Sequence, residues 1–369
     1  MVGNELEYIE QAINSGKISG NGDFTKKCQR FFESKYGFKK CLLTSSCTDA
    51  LEMCAMLLDI KMGDEIIVPS FTFVSTANAF VINGAKIVFA DSCDEHPNIA
   101  IAHLEKLISP KTKAIVVVHY AGMACDMDEV LALAQKHNLY IIEDSAQGID
   151  AFYDDKPLGG IGHLSTFSFH ETKNIISGEG GMLVINDDEF IKRSEIIWEK
   201  GTNRSAFFRG EIDKYNWVDK GSSFLPSEIT AAFLLAQLEY LNQIQEKRKM
   251  IWERYYESFK DPKFDSFFEV PKLPERASQN GHLFYLVCKS NKFRNDLIDY
   301  LKSKNILSVF HYLPLHKSPY FRKDNAEETL VNSERFADCL IRLPLYFELT
   351  EVEQAKVINE VVQFVITSK

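Results

Sequence analysis

Short apolar runs alternate with segments of helical periodicity between residues 39 and 146. The runs are rich in apolar and β-branched residues, and the segments between them repeat their apolar positions every three or four residues. The runs predicted as strands are KKCLLTS, DEIIVPS, KIVFAD, KAIVVVHY and LYIIEDSA. This alternation predicts βαβ units, and therefore a mainly parallel sheet that is covered by helices.

Helices are predicted between these strands and after them. One helix follows the first strand as TDALEMCAMLL, and another begins near Ser75. A third is expected after Asp126, which has Glu129 three residues later and so reproduces the spacing of a capping box. Residues 227–256 are predicted as one long amphipathic helix.

Beyond that helix, the pattern predicts a smaller α/β unit. It consists of a strand HLFYLVCKS, a helix KFRNDLIDYLKSK, a strand ILSVFHY and a final helix from about Thr350. We therefore predict a large domain over residues 1–235 and a small C-terminal domain over residues 236–369. No long flexible linker separates them, so the two domains are expected to pack closely.

Composition and charge narrow the classes of function. The 369 residues carry a net charge of −10, which argues against a general nucleic-acid surface. The longest mostly apolar run, residues 114–125, is far shorter than the ~20 residues that span a bilayer, and the N-terminus lacks a signal-peptide pattern. We therefore expect a cytoplasmic protein that binds metabolites and has no nucleic-acid or membrane partner.

Several site motifs are missing from the sequence. The eight cysteines form no C-x-x-C pair and match no histidine spacing, so we predict reduced thiols and no metal site. No G-x-x-x-x-G-K-[ST] occurs, and no G-x-G-x-x-G follows a strand. A P-loop and a dinucleotide-binding fold are therefore disfavoured.

Four positions at or after strand ends carry candidate chemistry. Residues 44–48 (TSSCT) open a helix and either bind an anion or simply cap that helix. Asp144 ends an apolar strand, where open α/β sheets bind ligands and where ordinary turns also place Asp. Phe73 offers a ring for stacking or belongs to the core, and Lys173 is a functional amine or a solvated loop residue. Together they match what pyridoxal phosphate requires: an amine, a carboxylate, an aromatic ring and a phosphate site.

Blocks spread over nearly the whole chain resemble the DegT/DnrJ/EryC1/StrS family of sugar aminotransferases. They are PSFTFVSTANAF, GAKIVFAD, HYAGMACDMD, EDSAQG, SFHETKN and EKGTNRSAFFRG. The resemblance implies the α/β fold of fold type I pyridoxal-phosphate-dependent transferases, with a mainly parallel central sheet flanked by helices and a smaller C-terminal α/β domain. It also implies pyridoxal 5'-phosphate as the cofactor and a homodimer with shared active sites.

The resemblance further assigns roles to single residues. Lys173 would bond covalently to the cofactor, Asp144 would pair with its pyridine nitrogen, and Gln147 would lie near its 3-hydroxyl. Phe73 would stack on the ring. The phosphate would be held by Cys47, Thr48 and Ser168.

Two segments depart from the usual family pattern. The S-G-T of the family is Ser46-Cys47-Thr48 here, so the phosphate is expected to be held mainly by backbone groups. The family's G-Y-N-Y-R-M, whose Asn reaches the phosphate in the neighbouring subunit, is GSSFLP at residues 221–226. Ser223 replaces that Asn and retains a hydroxyl that can donate.

The most similar branch of the family implies a substrate. It transfers the amino group of L-glutamate to C4 of dTDP-4-keto-6-deoxy-D-glucose, giving dTDP-4-amino-4,6-dideoxy-D-galactose and 2-oxoglutarate. The 4-amino gluco epimer, a 3-amino sugar and a non-catalytic sensor of cofactor or sugar nucleotide are the alternatives. The candidate substrate contacts are His170, Arg204, Arg209, Lys214, His311, Tyr312 and His316. An exposed loop at residues 201–215 and histidines satisfied within the core are the competing interpretations.

Overall fold

A computed structural model describes residues 1–323, 325 and 328–368. The strands are β1 (Lys40–Thr44), β2 (Glu65–Pro69), β3 (Lys86–Ala90), β4 (Thr112–Val118), β5 (Tyr140–Asp144), β6 (Phe152–Tyr153), β7 (Lys156–Pro157), β8 (Leu164–Ser168), β9 (Gly181–Ile185), β10 (Phe268–Glu269), β11 (Phe284–Cys288) and β12 (Leu340–Leu343). The α-helices are α1 (Glu5–Asn14), α2 (Asp23–Tyr36), α3 (Cys47–Leu57), α4 (Ser75–Val81), α5 (Met127–His137), α6 (Asp188–Trp198), α7 (Arg204–Phe208), α8 (Glu228–Glu239), α9 (Leu241–Phe259), α10 (Asn291–Ser303), α11 (Pro319–Arg322), α12 (Val331–Cys339) and α13 (Glu351–Thr367).

The central sheet has seven strands within the described residues, in the order β1-β9-β8-β5-β4-β2-β3. Strands β8, β5, β4, β2 and β3 are parallel to one another, whereas β9 runs antiparallel to both β1 and β8. All residues of β2 and β9 are buried, as expected of strands that are covered on both faces. The predicted mainly parallel sheet is confirmed.

Helices cover both faces of this sheet. Because successive strand residues point to opposite faces, Leu42 of β1 joins a core with Phe80 of α4. Its neighbours Cys41 and Leu43 join a core on the other face with Phe32 of α2. No helix in the described ranges has both the length and the apolar character needed to cross a bilayer.

The C-terminal part of the chain builds a separate sheet of β10, β11 and β12, all antiparallel. Its core brings Tyr255 of α9 and Phe284 of β11 together with Val361 of α13. The last helix begins after Thr350, as predicted, with a complete capping box between Thr350 and Glu353. The domain boundary between residues 235 and 236 stays a prediction.

Two predicted elements are wrong. The helix expected over residues 227–256 is two helices, α8 and α9, which meet at Tyr240 (φ −98°, ψ 9°). The turn is needed because α8 packs against α1 and α2, while most of α9 packs into the C-terminal core. The strand expected as ILSVFHY forms a single bridge, between Val309 and Arg342. The chain turns away from β12 there because His311 and Tyr312 form hydrogen bonds with Tyr120 and Gln147.

Candidate active site

A cavity of about 620 Å³ opens at the carboxyl ends of β1, β2, β4, β5 and β8, between the central sheet and the C-terminal part. Open α/β sheets bind ligands at this edge. The predicted site residues that line the cavity are Cys47, Thr48, Phe73, Asp144, Gln147, Ser168, His170, Lys173, His311 and Tyr312. Residues far apart in sequence are therefore brought to one place.

The first turn of α3 forms one wall of the cavity. Ser46 caps the helix and accepts a hydrogen bond from the Asp49 N–H at 3.0 Å. A Cβ on Gly181 would lie 2.3 Å from the carbonyl carbon of Ser46 and 2.4 Å from the nitrogen of Cys47. Only glycine therefore lets β9 begin beside this helix. The positive end of α3, with its first N–H groups and the Thr48 hydroxyl, is suited to bind a phosphate group.

Asp144 is a buried carboxylate in the cavity wall. Its Oδ2 accepts a hydrogen bond from the Thr76 hydroxyl at 2.7 Å, and its Oδ1 accepts one from the Ala146 N–H at 3.1 Å. Burial raises the pKa of Asp144, although the Thr76 bond and the Lys173 charge act in the opposite direction. A cation that binds beside Asp144 would replace the lost hydration and favour the ionised form.

Lys173 lies in the loop that follows β8 and reaches the same cavity. Its backbone N–H donates to the His170 carbonyl at 2.9 Å, which turns the chain back after the strand. Burial lowers the pKa of Lys173, while Cys47 and Asp144 oppose that shift. The neutral amine is thus favoured, and a neutral amine is the form that acts as a nucleophile or a base.

Gln147, His311 and Tyr312 connect the two parts of the chain across the cavity. The side-chain oxygen of Gln147 accepts from the Ala121 N–H at 2.7 Å, and its nitrogen donates to the Tyr312 hydroxyl at 3.0 Å. The His311 ring stacks on Tyr312 with centroids 3.6 Å apart. Burial lowers the pKa of His311 to about 2, so its ring is neutral. The exposed Phe73 lies next to Tyr312, with ring centroids 6.3 Å apart.

Of the five predicted residues that lie outside the lining of this cavity within the part of the chain that the structure describes, four are Ser223, Arg204, Arg209 and Lys214. All four are exposed. Arg209 forms ion pairs with Glu195 at 2.8 Å and Glu211 at 2.7 Å. The guanidinium of Arg204 lies over the ring of Phe208, 5.0 Å from its centroid.

His316 is also placed away from the cavity. Its ring is buried, with Nδ1 2.7 Å from the Ser70 hydroxyl and Nε2 3.2 Å from Glu334. Both nitrogens are engaged inside the fold. The structure therefore gives no support to a sugar contact by His316 and agrees with a histidine that is satisfied within the core.

The cavity lining also contains residues that were not predicted as site residues, and three of them, Thr76, His282 and Arg342, have polar side chains that bear on the chemistry of the site. Thr76 lies in the first turn of α4, and its contact with Asp144 is not marked by any sequence motif. His282 precedes β11 and Arg342 belongs to β12, and no local motif marks either residue. The Nε of Arg342 is buried without a hydrogen-bond partner among the described residues.

A family model, the DegT/DnrJ/EryC1/StrS aminotransferase family, matches residues 1–362. The chain belongs to this family. Among its relatives is the GDP-perosamine synthase of Caulobacter vibrioides, 31% identical over 99% of this chain and 96% of the relative. The match confirms the predicted family and the predicted enzyme class, a pyridoxal-phosphate-dependent nucleotide-sugar aminotransferase.

Solved structures agree with the family match. The Helicobacter pylori protein PseC, an aminotransferase involved in the biosynthesis of pseudoaminic acid, superposes with a TM-score of 0.91 at 26% identity, over 100% of this chain and 97% of that one. The Streptococcus pneumoniae protein Spr1654 in its PLP form superposes with a TM-score of 0.91 at 25% identity, with the same coverage. These matches confirm the predicted fold class and pyridoxal phosphate as the cofactor.

The residues of this aminotransferase fit that cofactor. Asp144 keeps oxygen lone pairs for a protonated ring nitrogen, because Thr76 and Ala146 each occupy only part of its carboxylate. The first turn of α3 provides N–H groups for the phosphate. Lys173 has no side-chain hydrogen bond to any described residue, so its amine is available for covalent bonding to the cofactor.

The hydroxyl of Thr76 is expected to strengthen cofactor binding through Asp144. It donates to Asp144 at 2.7 Å and must therefore accept from Thr72, whose hydroxyl is 2.9 Å away. Thr76→Val keeps the shape but removes the bond that favours the ionised carboxylate, so cofactor affinity should fall about tenfold. Fluorescence titration with pyridoxal phosphate measures this, and Thr76→Ser, which keeps the hydroxyl, should stay near wild type. Equal affinities of the Val and Ser variants would contradict the role.

Proposed function

We propose that this enzyme transfers the amino group of L-glutamate to C4 of dTDP-4-keto-6-deoxy-D-glucose. The products are dTDP-4-amino-4,6-dideoxy-D-galactose and 2-oxoglutarate. The observation that carries amino transfer is the pairing of Lys173, whose pKa is lowered, with the buried Asp144 in one cavity. The choice of sugar rests on the sequence blocks that resemble the C4-aminating branch of the family.

The residues divide the chemistry between them. The bound cofactor supplies an electron sink for the bond broken beside the substrate nitrogen. In the glutamate half-reaction, the amine of Lys173 would take the proton from the carbon that bears the nitrogen and pass it to C4′ of the cofactor, and in the keto-sugar half-reaction it would move a proton from C4′ to C4 of the sugar. Asp144 holds a proton on the ring nitrogen of the cofactor. The aromatic residues Phe73 and Tyr312 line the cavity, and Phe73 would stack on the cofactor ring.

The position of Arg342 supports the proposal that the amino donor carries a carboxylate. Its backbone is fixed on β12, paired with Tyr285 on one side and bridged to Val309 on the other. Its guanidinium lines the cavity, and its Nε lacks a partner among the residues that the structure describes. A planar guanidinium binds carboxylates through two parallel hydrogen bonds, so we propose that Arg342 receives a carboxylate of L-glutamate.

Arg342→Gln is expected to raise the KM for L-glutamate about 10- to 100-fold, because a charged hydrogen-bonding partner is lost. The KM for the keto-sugar should change much less. Arg254→Gln is the matched control, since Arg254 lies on the surface of α9 and pairs with Glu351 at 2.8 Å. An unchanged KM for L-glutamate in the Arg342 variant would contradict this assignment.

The basic residues in and after α7 support the proposal that two subunits share each active site. Arg204, Arg209 and Lys214 are exposed and lie outside the cavity of their own chain, as does Ser223. A sugar nucleotide carries a pyrophosphate, which needs cations in a protein of net charge −10. We propose a homodimer in which these residues reach the cavity of the second subunit. Sedimentation analysis and Arg204→Ala/Arg209→Ala kinetics would test this, and an active monomer would refute it.

Spectroscopy followed by product analysis tests the overall reaction. The enzyme loaded with pyridoxal phosphate should change its absorbance when L-glutamate is added and recover when the keto-sugar follows. NMR ring couplings of the product then separate the galacto from the gluco epimer and C4 from C3 amination. A GDP-linked 4-keto-6-deoxy sugar is assayed in parallel, since a relative is named GDP-perosamine synthase. No response to any amino donor would instead favour a non-catalytic sensor.

A further inference from the structure

His282 is a histidine of the cavity wall with a fixed orientation. It is only 8% exposed and lies two residues before the start of β11. Its Nδ1 lies 2.8 Å from the side-chain oxygen of Asn174, the residue that follows Lys173. Its backbone N–H donates to the Asn280 side-chain oxygen at 3.0 Å. The Nδ1 edge of the ring is therefore fixed by Asn174, and His282 also lines the cavity.

The hydrogen bonds of Asn174 decide which ring nitrogen carries the proton. Its side-chain nitrogen donates to the Gln245 side-chain oxygen at 2.8 Å and to the Asn280 carbonyl at 2.9 Å. Both N–H groups of the amide are thus used, and its oxygen can only accept. His282 must donate from Nδ1. The other nitrogen, Nε2, is left with a lone pair and has no partner among the described residues.

The surroundings keep this ring neutral. Burial lowers the pKa of His282 well below its usual value, and the charges of Lys173, Arg248 and Arg342 lower it further. A group that resists protonation is a poor general base. It remains a good hydrogen-bond acceptor. The nearby guanidinium of Arg342 also disfavours a cationic ligand at this spot, so the matching donor is a neutral group that keeps its proton.

We propose that His282 is a substrate-binding residue whose Nε2 accepts a hydrogen bond from a hydroxyl of the sugar. This inference rests on the proposed nucleotide-sugar substrate, since a sugar ring carries the neutral hydroxyl donors that the site fits. The amino donor L-glutamate carries no hydroxyl. His282 therefore contributes to the keto-sugar half of the reaction and hardly to the glutamate half.

Two variants separate the two edges of the ring. In His282→Asn, the amide nitrogen replaces Nδ1 and keeps the bond to Asn174, but no acceptor remains at the position of Nε2. In His282→Gln, the amide reaches the position of Nε2 and offers an oxygen acceptor, while the bond to Asn174 is lost. If His282 binds the substrate, His282→Asn should therefore lose more sugar-nucleotide binding than His282→Gln. If the role of His282 is purely structural, His282→Gln should be the more impaired variant.

The test measures each half-reaction separately by absorbance and measures binding of dTDP-4-keto-6-deoxy-D-glucose to the cofactor-free enzyme by calorimetry. His282→Asn should weaken sugar-nucleotide binding and slow the keto-sugar half-reaction about five- to tenfold, with little change in the glutamate half-reaction. His282→Gln should recover most of that loss. Three results would overturn the proposal. They are a larger loss of sugar-nucleotide binding in His282→Gln than in His282→Asn, no loss in either variant, and equal losses of rate in both half-reactions together with a lowered Tm. A wild-type enzyme that responds to L-glutamate but neither binds nor aminates the sugar nucleotide would overturn the proposed substrate and this inference with it.

Discussion

Lys173→Ala is expected to reduce amino transfer by about 10⁴-fold or more, because one side chain supplies both the covalent attachment and the proton transfer. No other lysine lines the cavity in the described part of the chain to replace it. The absorbance of the cofactor-loaded protein should also lose its response to L-glutamate. Single-turnover kinetics with each substrate measure the loss.

Two controls separate chemistry from folding for Lys173. Lys173→Arg keeps a positive charge but is not a nucleophile, and it should be nearly as inactive as the alanine variant. Lys292→Ala, on the exposed surface of α10, should behave like the wild type. Because burial disfavours the Lys173 ammonium, the alanine variant should have a Tm at least as high as that of the wild-type apoprotein. Residual activity above about one per cent would contradict the role assigned to Lys173.

Asp144→Asn is expected to slow amino transfer about 10²- to 10³-fold and to weaken cofactor binding, because the neutral amide no longer stabilises a proton on the cofactor ring. Asn keeps nearly the same shape and retains an oxygen that can accept from Thr76. The loss of rate and of cofactor affinity in this variant therefore measures the contribution of the negative charge of Asp144. Rates of both half-reactions and the Kd of the cofactor measure it, and a variant within threefold of wild type in both would contradict the pairing.

Stability should change in the opposite direction at Asp144. The pKa of this carboxyl is raised in the folded chain, so the folded state binds more protons than the unfolded state between the two pKa values. Stability then falls as pH rises through that window, and the ionised group destabilises the apoprotein at pH 7. Asp144→Asn removes this cost, so its apoprotein should unfold at a Tm no lower than that of the wild type.

A cofactor analogue that is methylated on its ring nitrogen should restore part of the activity of Asp144→Ala. The methylated ring nitrogen carries a permanent positive charge and therefore needs no carboxylate to keep it protonated.

The sequence was informative where chemistry follows the ends of strands. Cys47, Asp144 and Lys173 each come at or after a strand with a clear apolar pattern, and parallel strands end at one edge of the sheet. Their convergence could be predicted from that topology and from the family resemblance. Thr76 needed one step more, namely the hydrogen bond that connects it with Asp144.

The C-terminal contribution to the site could not be predicted in the same way. His282 and Arg342 reach the cavity because the three-stranded C-terminal sheet packs against the part of the chain that contains the central sheet, and no local pattern encodes that packing. Periodicity also misjudged residues 306–312, because an apolar run can leave a sheet when tertiary hydrogen bonds redirect it. The break at Tyr240 was not predicted because helical periodicity continues on both sides of it, whereas α8 and α9 pack against different parts of the protein.

The close approach of Gly181 to the start of α3 limits which substitutions this sequence can accept during evolution. Its backbone conformation is one that other residues adopt, so no turn requirement marks the position. Nevertheless, any added methyl group would meet the main chain of Ser46 and Cys47, which cannot move aside as a flexible side chain would. Selection should therefore reject every replacement at Gly181, whereas Gly178, with open space around its Cβ position, should tolerate Asn or Asp.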